Sequence, residues 1–352
     1  TQKVFKVSKN LMLNNCSFEE RTKMKALVLN ENTFQVETIP QPTITENQVL
    51  IQLKYAALNH RDQWIREGQY AKIQLPAILG SDGCGEVIAV ANDNDKKWIG
   101  KSVIINPNIN WGDNNGFQQK DYQILGMPSQ GTIAEYIAVP SDRIHEKPKH
   151  LTDEQAAALP LAGLTAYNAM FNKGKAEKGM NILISGVGGG VAQFAFLYAV
   201  AIGAQVYITS SKNEVINACL QLGAKAGANY KEENAIKNLA KSIGGFDIII
   251  DSACGNGMNE LIATLKPTGK FVFYGATKGL PKDLNMRQIF WNHLQIVGST
   301  MGSDADFIKM IQLCNDYQIN PIIDKVFSID NAVAAFDRMK NGDQFGKIIV
   351  KL

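Results

Sequence analysis

The sequence contains no C-x-x-C pair, no apolar run long enough to cross a bilayer, no block of basic residues and no internal repeat. Each absence removes a class of protein. The five cysteines (Cys16, Cys84, Cys219, Cys254 and Cys314) are scattered and odd in number. That argues against a disulfide framework or a cysteine-rich zinc knuckle, and for a reducing, cytoplasmic setting. The most apolar stretch, over 194–202, is short and bounded by glycine, whereas a membrane helix needs about 20 apolar residues. A formal charge of +3 is too mild to imply a nucleic-acid partner. With 45% hydrophobic and 20% charged residues the composition is that of an ordinary globular protein. Its 352 residues exceed what one core holds comfortably, so two domains are expected.

What is present is organised around residues 181–212, NILISGVGGGVAQFAFLYAVAIGAQVYITSSK. Ile182, Leu183 and Ile184 read as a buried strand, followed by the cluster Gly186, Val187, Gly188, Gly189 and Gly190. An apolar helix then runs from Ala192 to Ala201, Gly203 stops it, and a second strand starts at Gln205. Strand, glycine turn, helix and strand in this order are what a dinucleotide-binding unit requires. Glycines let the backbone turn sharply and approach a pyrophosphate, whose charge then lies at the helix N-terminus. The third glycine of G-x-G-x-x-G would fall at Val191, so the match is imperfect and a turn without a ligand is the alternative.

Residues 1–23 are polar, carry Lys3, Lys6, Lys9, Arg21 and Lys23, and have neither periodicity nor the apolar segment of a secretory signal. They read as a flexible arm, or as an early start upstream of Met24. From Met24 to about His150, short strands and glycine turns predict an antiparallel, partly barrel-like domain. Within it a helix is expected over 63–67, a polar loop over 106–125 and a return to strand over 131–136. Thr152 is a good N-cap for a helix that starts at 156–158 and runs toward Tyr167. Beyond the glycine turn, helices over 214–222, 233–243 and 258–265 alternate with strands over 226–230, 246–251, 270–274 and 294–298. That alternation implies a parallel sheet with right-handed crossovers. The tail from Ile322 reads as strand, helix and strand that pair back onto the first domain.

The ordered pieces MKALVL, ALNHRD, GSDGCGEV, GTIAEY, LPLAGLTAY, ISGVGGG, GANYKEEN and FGKIIV resemble the medium-chain dehydrogenase/reductase superfamily over nearly the whole chain from Met24. Within it, the chain resembles the zinc-free quinone oxidoreductase branch. The resemblance implies an α/β fold: a GroES-like, partly open β-barrel domain (24–150 plus 320–352) and a Rossmann doubly wound domain (151–319). Zinc-dependent members place their catalytic ligands where this chain has Asn59, Ser81 and Leu161. Those residues lack the thiolate, imidazole or carboxylate that tetrahedral zinc takes. The loop over 106–125 likewise lacks the four cysteines of the structural zinc lobe, so no metal is expected.

The same resemblance implies hydride transfer to a quinone or an activated alkene, with the carbonyl polarised by hydrogen bonds. Asn59 would lie by the nicotinamide, or would merely cap a turn. Tyr70 would line the substrate site and could donate a proton, or would only pack. Thr165 would touch the nicotinamide side, or pack inside its helix. Tyr274, Gly275, Ser299 and Thr300 end parallel strands, where ligands sit in open α/β sheets. Lys347 resembles the family's terminal basic residue near the cofactor cleft; otherwise it is a solvated lysine. His60 and Asp62 could pair beside the site, and Trp111 and Phe117 could line it. Cys84 and Cys254 fall near the cleft but read as inert.

The second cofactor-domain strand ends Ser210, Ser211, Lys212 with no acid before Glu214. Hydroxyls and a cation suit a 2′-phosphate, so NADPH is favoured over NADH, with Tyr230 packing nearby by resemblance. The expected protein is a homodimer paired through the strand over 294–298, with a small-molecule substrate and neither membrane nor nucleic acid as partner. The alternatives are a non-catalytic NADPH-binding sensor, or an RNA-associating relative in the zeta-crystallin manner. A zinc alcohol dehydrogenase is disfavoured. An open pocket beside Asn59 distinguishes the reductase from the sensor.

Overall fold

The computed structural model describes residues 22–352. The arm expected over 1–23, with Cys16, lies outside that range except for its last two residues, and Lys23 already opens the strand Lys23–Leu29.

The nucleotide-binding half is a six-stranded, wholly parallel sheet. Its strands lie in the order Ala226–Asn229, Gln205–Ser210, Asn181–Ile184, Phe246–Asp251, Leu265–Phe273, Gln295–Gly298. The chain starts in the middle, builds outward to one edge, then returns and builds to the other. The order therefore reverses beside Asn181–Ile184, which opens a crevice at the carboxyl ends of the strands. Ile182, Leu183, Ile184, Ile249 and Ile250 are wholly buried, as strands covered on both faces must be. The helix Gly190–Ala201 is buried nearly all round, with Phe194, Phe196 and Tyr198 at zero exposure. Gly203, at φ +77°, ends it by adopting a backbone that side chains disfavour.

The other half is built on the strand Gln48–Ala57. It pairs antiparallel with Asp82–Val90, with Tyr136–Pro140 and, through Ala57 opposite Ile349, with Lys347–Lys351. The tail thus returns to the first domain. These sheets are the GroES-like barrel and the Rossmann fold that the motifs implied.

Three local expectations are corrected. The segment over 131–135 is not a strand; regular pairing begins at Tyr136. Gly131 instead packs directly on the carbonyls of Leu79 and Gly80, with no room for a side chain. The early helix is His60–Arg66 rather than 63–67, because Asp62 accepts a hydrogen bond from the Asn59 N–H (2.8 Å) and fixes its first turn. The helix expected through to Tyr167 is broken in two, Asp153–Ala158 and Pro160–Tyr167, since Pro160 has no N–H to continue the first and suits the start of the second.

A side chain at Gly85 would overlap the backbone of Gln52 and Leu53 on the central strand. Gly85→Ala is expected to destabilise the protein by about 1–3 kcal/mol, measured by chemical denaturation.

Candidate active site

The glycine turn connects Asn181–Ile184 to the helix Gly190–Ala201. Gly186 adopts φ +61°, and its N–H donates to the Thr209 hydroxyl (3.0 Å) while Val187 N–H donates to the Thr209 carbonyl (3.0 Å). Gly190 serves a different contact. The space its side chain would occupy is taken by the stem of Lys347, whose Cδ would lie 3.0 Å from a Cβ there.

Two cavities line up along the crevice. The inner one, of about 300 Å³, is bounded by Asn59, His60, Arg61, Trp64, Tyr70, Leu161, Thr165, Gly189, Gly190, Val191, Tyr274, Gly275, Thr300 and Lys347. The outer one, of about 430 Å³, is bounded by Gly186, Gly188, Gly189, Ser210, Ser211, Lys212, Tyr230 and Lys278. Gly189, Ser252, Thr277 and Gln344 belong to both walls. A dinucleotide fits this plan, with its pyrophosphate over the helix N-terminus and one end in each cavity.

Most of the residues singled out from the sequence therefore meet here. Val187 is the exception in the turn, wholly buried behind it. Ser299 faces a neighbouring hollow with Trp111 and Phe117, and its hydroxyl is buried without a partner. Thr165 lines the inner cavity although its hydroxyl donates to Leu161 O (2.8 Å) within the helix. His60 and Asp62 do not pair. His60 stays solvent-exposed at the rim of both cavities, where partial desolvation, and then the charge of Lys347, hold its imidazole below its usual pKa, whereas burial pushes the Asp62 carboxyl up. Burial raises the Cys84 thiol to about 12 and the Cys254 thiol to about 11, consistent with inert sulfur.

The floor of the inner cavity is a buried charge network. The Lys347 ammonium, 2% exposed, donates to Leu58 O (2.7 Å), Asn59 Oδ1 (2.6 Å) and Asp82 Oδ2 (3.1 Å). All three of its hydrogens are thereby used. Asn59 Nδ2 donates to the same Asp82 oxygen (2.9 Å), and the other oxygen accepts from Leu161 N (2.8 Å) at the start of the helix Pro160–Tyr167. Next to it, Arg61 Nη1 donates to Ser81 Oγ (2.6 Å) and Leu125 O (2.9 Å).

Comparison with known proteins adds the lineage. An alcohol dehydrogenase GroES-like domain matches 45–149, and a zinc-binding dehydrogenase domain matches 190–316. A zinc-type alcohol dehydrogenase-like protein of Leptosphaeria maculans is 33% identical, over 90% of this chain and 94% of its own. The chain belongs to the medium-chain dehydrogenase/reductase superfamily. A solved NAD-dependent alcohol dehydrogenase superposes with a TM-score of 0.89 at 30% identity, covering 94% of this chain and all of that one. An acryloyl-coenzyme A reductase of Sulfurisphaera tokodaii is 26% identical over 93% of this chain and 100% of its own.

This medium-chain dehydrogenase/reductase is thus an oxidoreductase with a nicotinamide-cofactor fold. The donors at Asn59, Ser81 and Leu161 do not suit zinc. Asn59 has its amide engaged at both ends, Ser81 bridges Arg61 and Leu125, Leu161 is aliphatic, and an ammonium lies 2.6 Å from Asn59 Oδ1. Among the described residues no three His, Cys, Asp or Glu gather to hold a metal, and no helix is long and apolar enough to cross a membrane. Asp82, Arg61, Lys278 and Gln344 were missed from sequence. The acid amid glycines in GSDGCGEV was the available signal for Asp82, and the motif ALNHRD that for Arg61; Lys278 and Gln344 had none.

Lys347→Met would leave the Asp82 carboxylate buried and short of its cation, a loss of roughly 3–5 kcal/mol. Adding Asp82→Asn is expected to recover a large part of it, and a double-mutant cycle by denaturation measures the coupling.

Proposed function

We propose that this protein is an NADPH-dependent, zinc-independent reductase of quinones or α,β-unsaturated carbonyl compounds. The observation that carries the reading is the inner cavity beside Asn59, with a buried lysine network where zinc-dependent members keep their ligands. A sensor needs room for the cofactor only; the inner cavity also takes in Arg61, Trp64 and Tyr70 of the barrel half, a further wall that suits a substrate beside the nicotinamide. The acryloyl-coenzyme A reductase among the relatives is consistent with alkene reduction on this fold.

When bound, the reduced nicotinamide supplies a hydride. The chain's own residues do the remaining work. Thr165, Tyr274, Gly275 and Thr300 wall the nicotinamide end, and the Lys347–Asn59–Asp82 network fixes the floor. Tyr70 stands on the cavity wall as a proton source, with water as the other. At the outer end, Ser210, Ser211, Lys212 and Tyr230 bound the cavity, and Lys278 Nζ lies 5.0 Å from the Tyr230 ring centroid. Hydroxyls and two ammonium groups favour a 2′-phosphate over a free ribose hydroxyl.

The purified, metal-analysed protein is expected to contain no stoichiometric zinc, to bind NADPH at least about tenfold tighter than NADH, and to reduce members of a quinone and enone panel. Lys212→Ala should weaken NADPH binding by about tenfold, one charge-assisted contact, and leave NADH binding unchanged. Equal binding of both cofactors would refute the phosphate preference; binding without any turnover would favour the sensor; stoichiometric zinc would refute the metal-free reading.

The homodimer belongs to the same proposal. Met286, Phe290 and Trp291 are 62–75% exposed on one short helix, beside the edge strand Gln295–Gly298, and an apolar patch at an open sheet edge favours pairing. Sedimentation should give a dimer, and Trp291→Glu with Phe290→Glu a monomer.

A further inference from the structure

The reductase reading requires something to hold the carbonyl oxygen, and Asn59 has one amide hydrogen left for it and no charge. Its Nδ2 donates to Asp82 and its Oδ1 is taken by Lys347. The adjacent arginine is different. Arg61 is 6% exposed and lines the inner cavity, yet its Nη2 is buried with no hydrogen-bond partner. Nη1 is spent on Ser81 and Leu125 O. Nε points at the Tyr70 hydroxyl from 3.4 Å, with the guanidinium carbon 5.1 Å from the Tyr70 ring centroid. Its charge has one buried counterion but no hydrogen bond to it. Asp62 is 3.9 Å from Nη1, beyond hydrogen-bond reach, and Asp82 is engaged by Lys347. A buried, unpaired donor on a cation is costly, and such a cost is sustained where a ligand supplies the missing acceptor.

We infer that Arg61 and Tyr70 together form the binding site for the substrate's carbonyl oxygen, resting on the reductase reading above. Nη2 is the one nitrogen of the guanidinium left to donate. The Tyr70 oxygen, accepting from Nε, keeps its own O–H to donate. A guanidinium N–H and a phenol O–H from two residues of one cavity wall suit one oxygen that gains negative charge. With Nη1 tied to the protein and Nε directed at Tyr70, the two-pronged grip on a carboxylate is absent, so ketones, aldehydes and quinones are the favoured class over free acids. In the reaction the hydride adds to the electron-poor carbon, and the alkene π pair moves through the conjugated system to the carbonyl oxygen. Arg61 and Tyr70 hold that enolate oxygen, and a proton from Tyr70 or water completes the saturated product. For a quinone the same two electrons and one proton give the hydroquinone monoanion, and a second proton gives the hydroquinone.

The test uses 4-nitrophenolate as a coloured oxyanion, with nitrobenzene and benzoate as controls, titrated into the full-length protein. Saturable phenolate binding is expected, with the phenol made more acidic in the site and benzoate bound more weakly. Arg61→Met should weaken phenolate binding by about 10- to 100-fold, as loss of a charged hydrogen bond does, and leave nitrobenzene binding unchanged. Tyr70→Phe should weaken it about fivefold. Should Arg61→Met not fold, Arg61→Lys, which keeps the charge on a shorter stem, must still lose the phenol's acidity shift. Phenolate affinity unchanged by these substitutions, or lost in parallel with nitrobenzene affinity, overturns the inference. The two readings separate cleanly. Arg61-dependent phenolate binding without quinone or enone turnover would sink the reductase and leave the oxygen site. Turnover with kcat/KM indifferent to Arg61 would do the reverse.

Discussion

The Asp82 carboxylate is the point on which the structure turns. It sits at the head of a barrel strand and is fully buried. Its two oxygens reach three separate parts of the chain: the Lys347 ammonium, the Asn59 amide and the first turn of Pro160–Tyr167. A carboxylate at a helix N-terminus is favoured by the unpaired N–H groups there, and an ammonium with all its hydrogens placed removes the remaining cost of burial. One buried carboxylate therefore ties two barrel strands to the helix Pro160–Tyr167 and anchors the floor of the cavity.

That arrangement also makes sense of the site's chemistry. A monovalent cation is buried within this floor and saturated by the protein. Lys347 orders Asn59 without offering a free hydrogen to a substrate. On the proposed reading the electrophilic assistance comes from the wall, where Arg61 and Tyr70 stand. Rigidity and activation are thus assigned to two neighbouring cations of different geometry, the compact ammonium below and the planar guanidinium beside it.

Much of the fold was legible because its signals are local. The glycine turn, the isoleucine-rich strands and the alternation of strands and helices each occupy a short window, and the strand over 246–251 falls where the pattern places it. The failures are of two kinds. Pro160 was present to be read as a helix start, whereas the irregular path over 131–135 depends on Gly131 meeting the Gly80 carbonyl, which no window contains. The cofactor crevice was readable from its glycines. The floor was not, since Lys347 and Asp82 are 265 residues apart. Arg61 stood inside a quoted motif, but which of its nitrogens lacks a partner is a property of packing alone.

The return of the tail to the first domain bears on the order of events during synthesis. The strand carrying Asp82 leaves the ribosome well before Lys347 is made, and with it the whole nucleotide-binding unit in between. Domains tend to fold as they emerge, so the nucleotide unit can complete its sheet while the barrel half still keeps an unpaired carboxylate that water must solvate. The barrel can dry and close only after strand Lys347–Lys351 arrives. The protein is thereby assembled from the inside of its sequence outward, and its catalytic cavity is among the last features to exist.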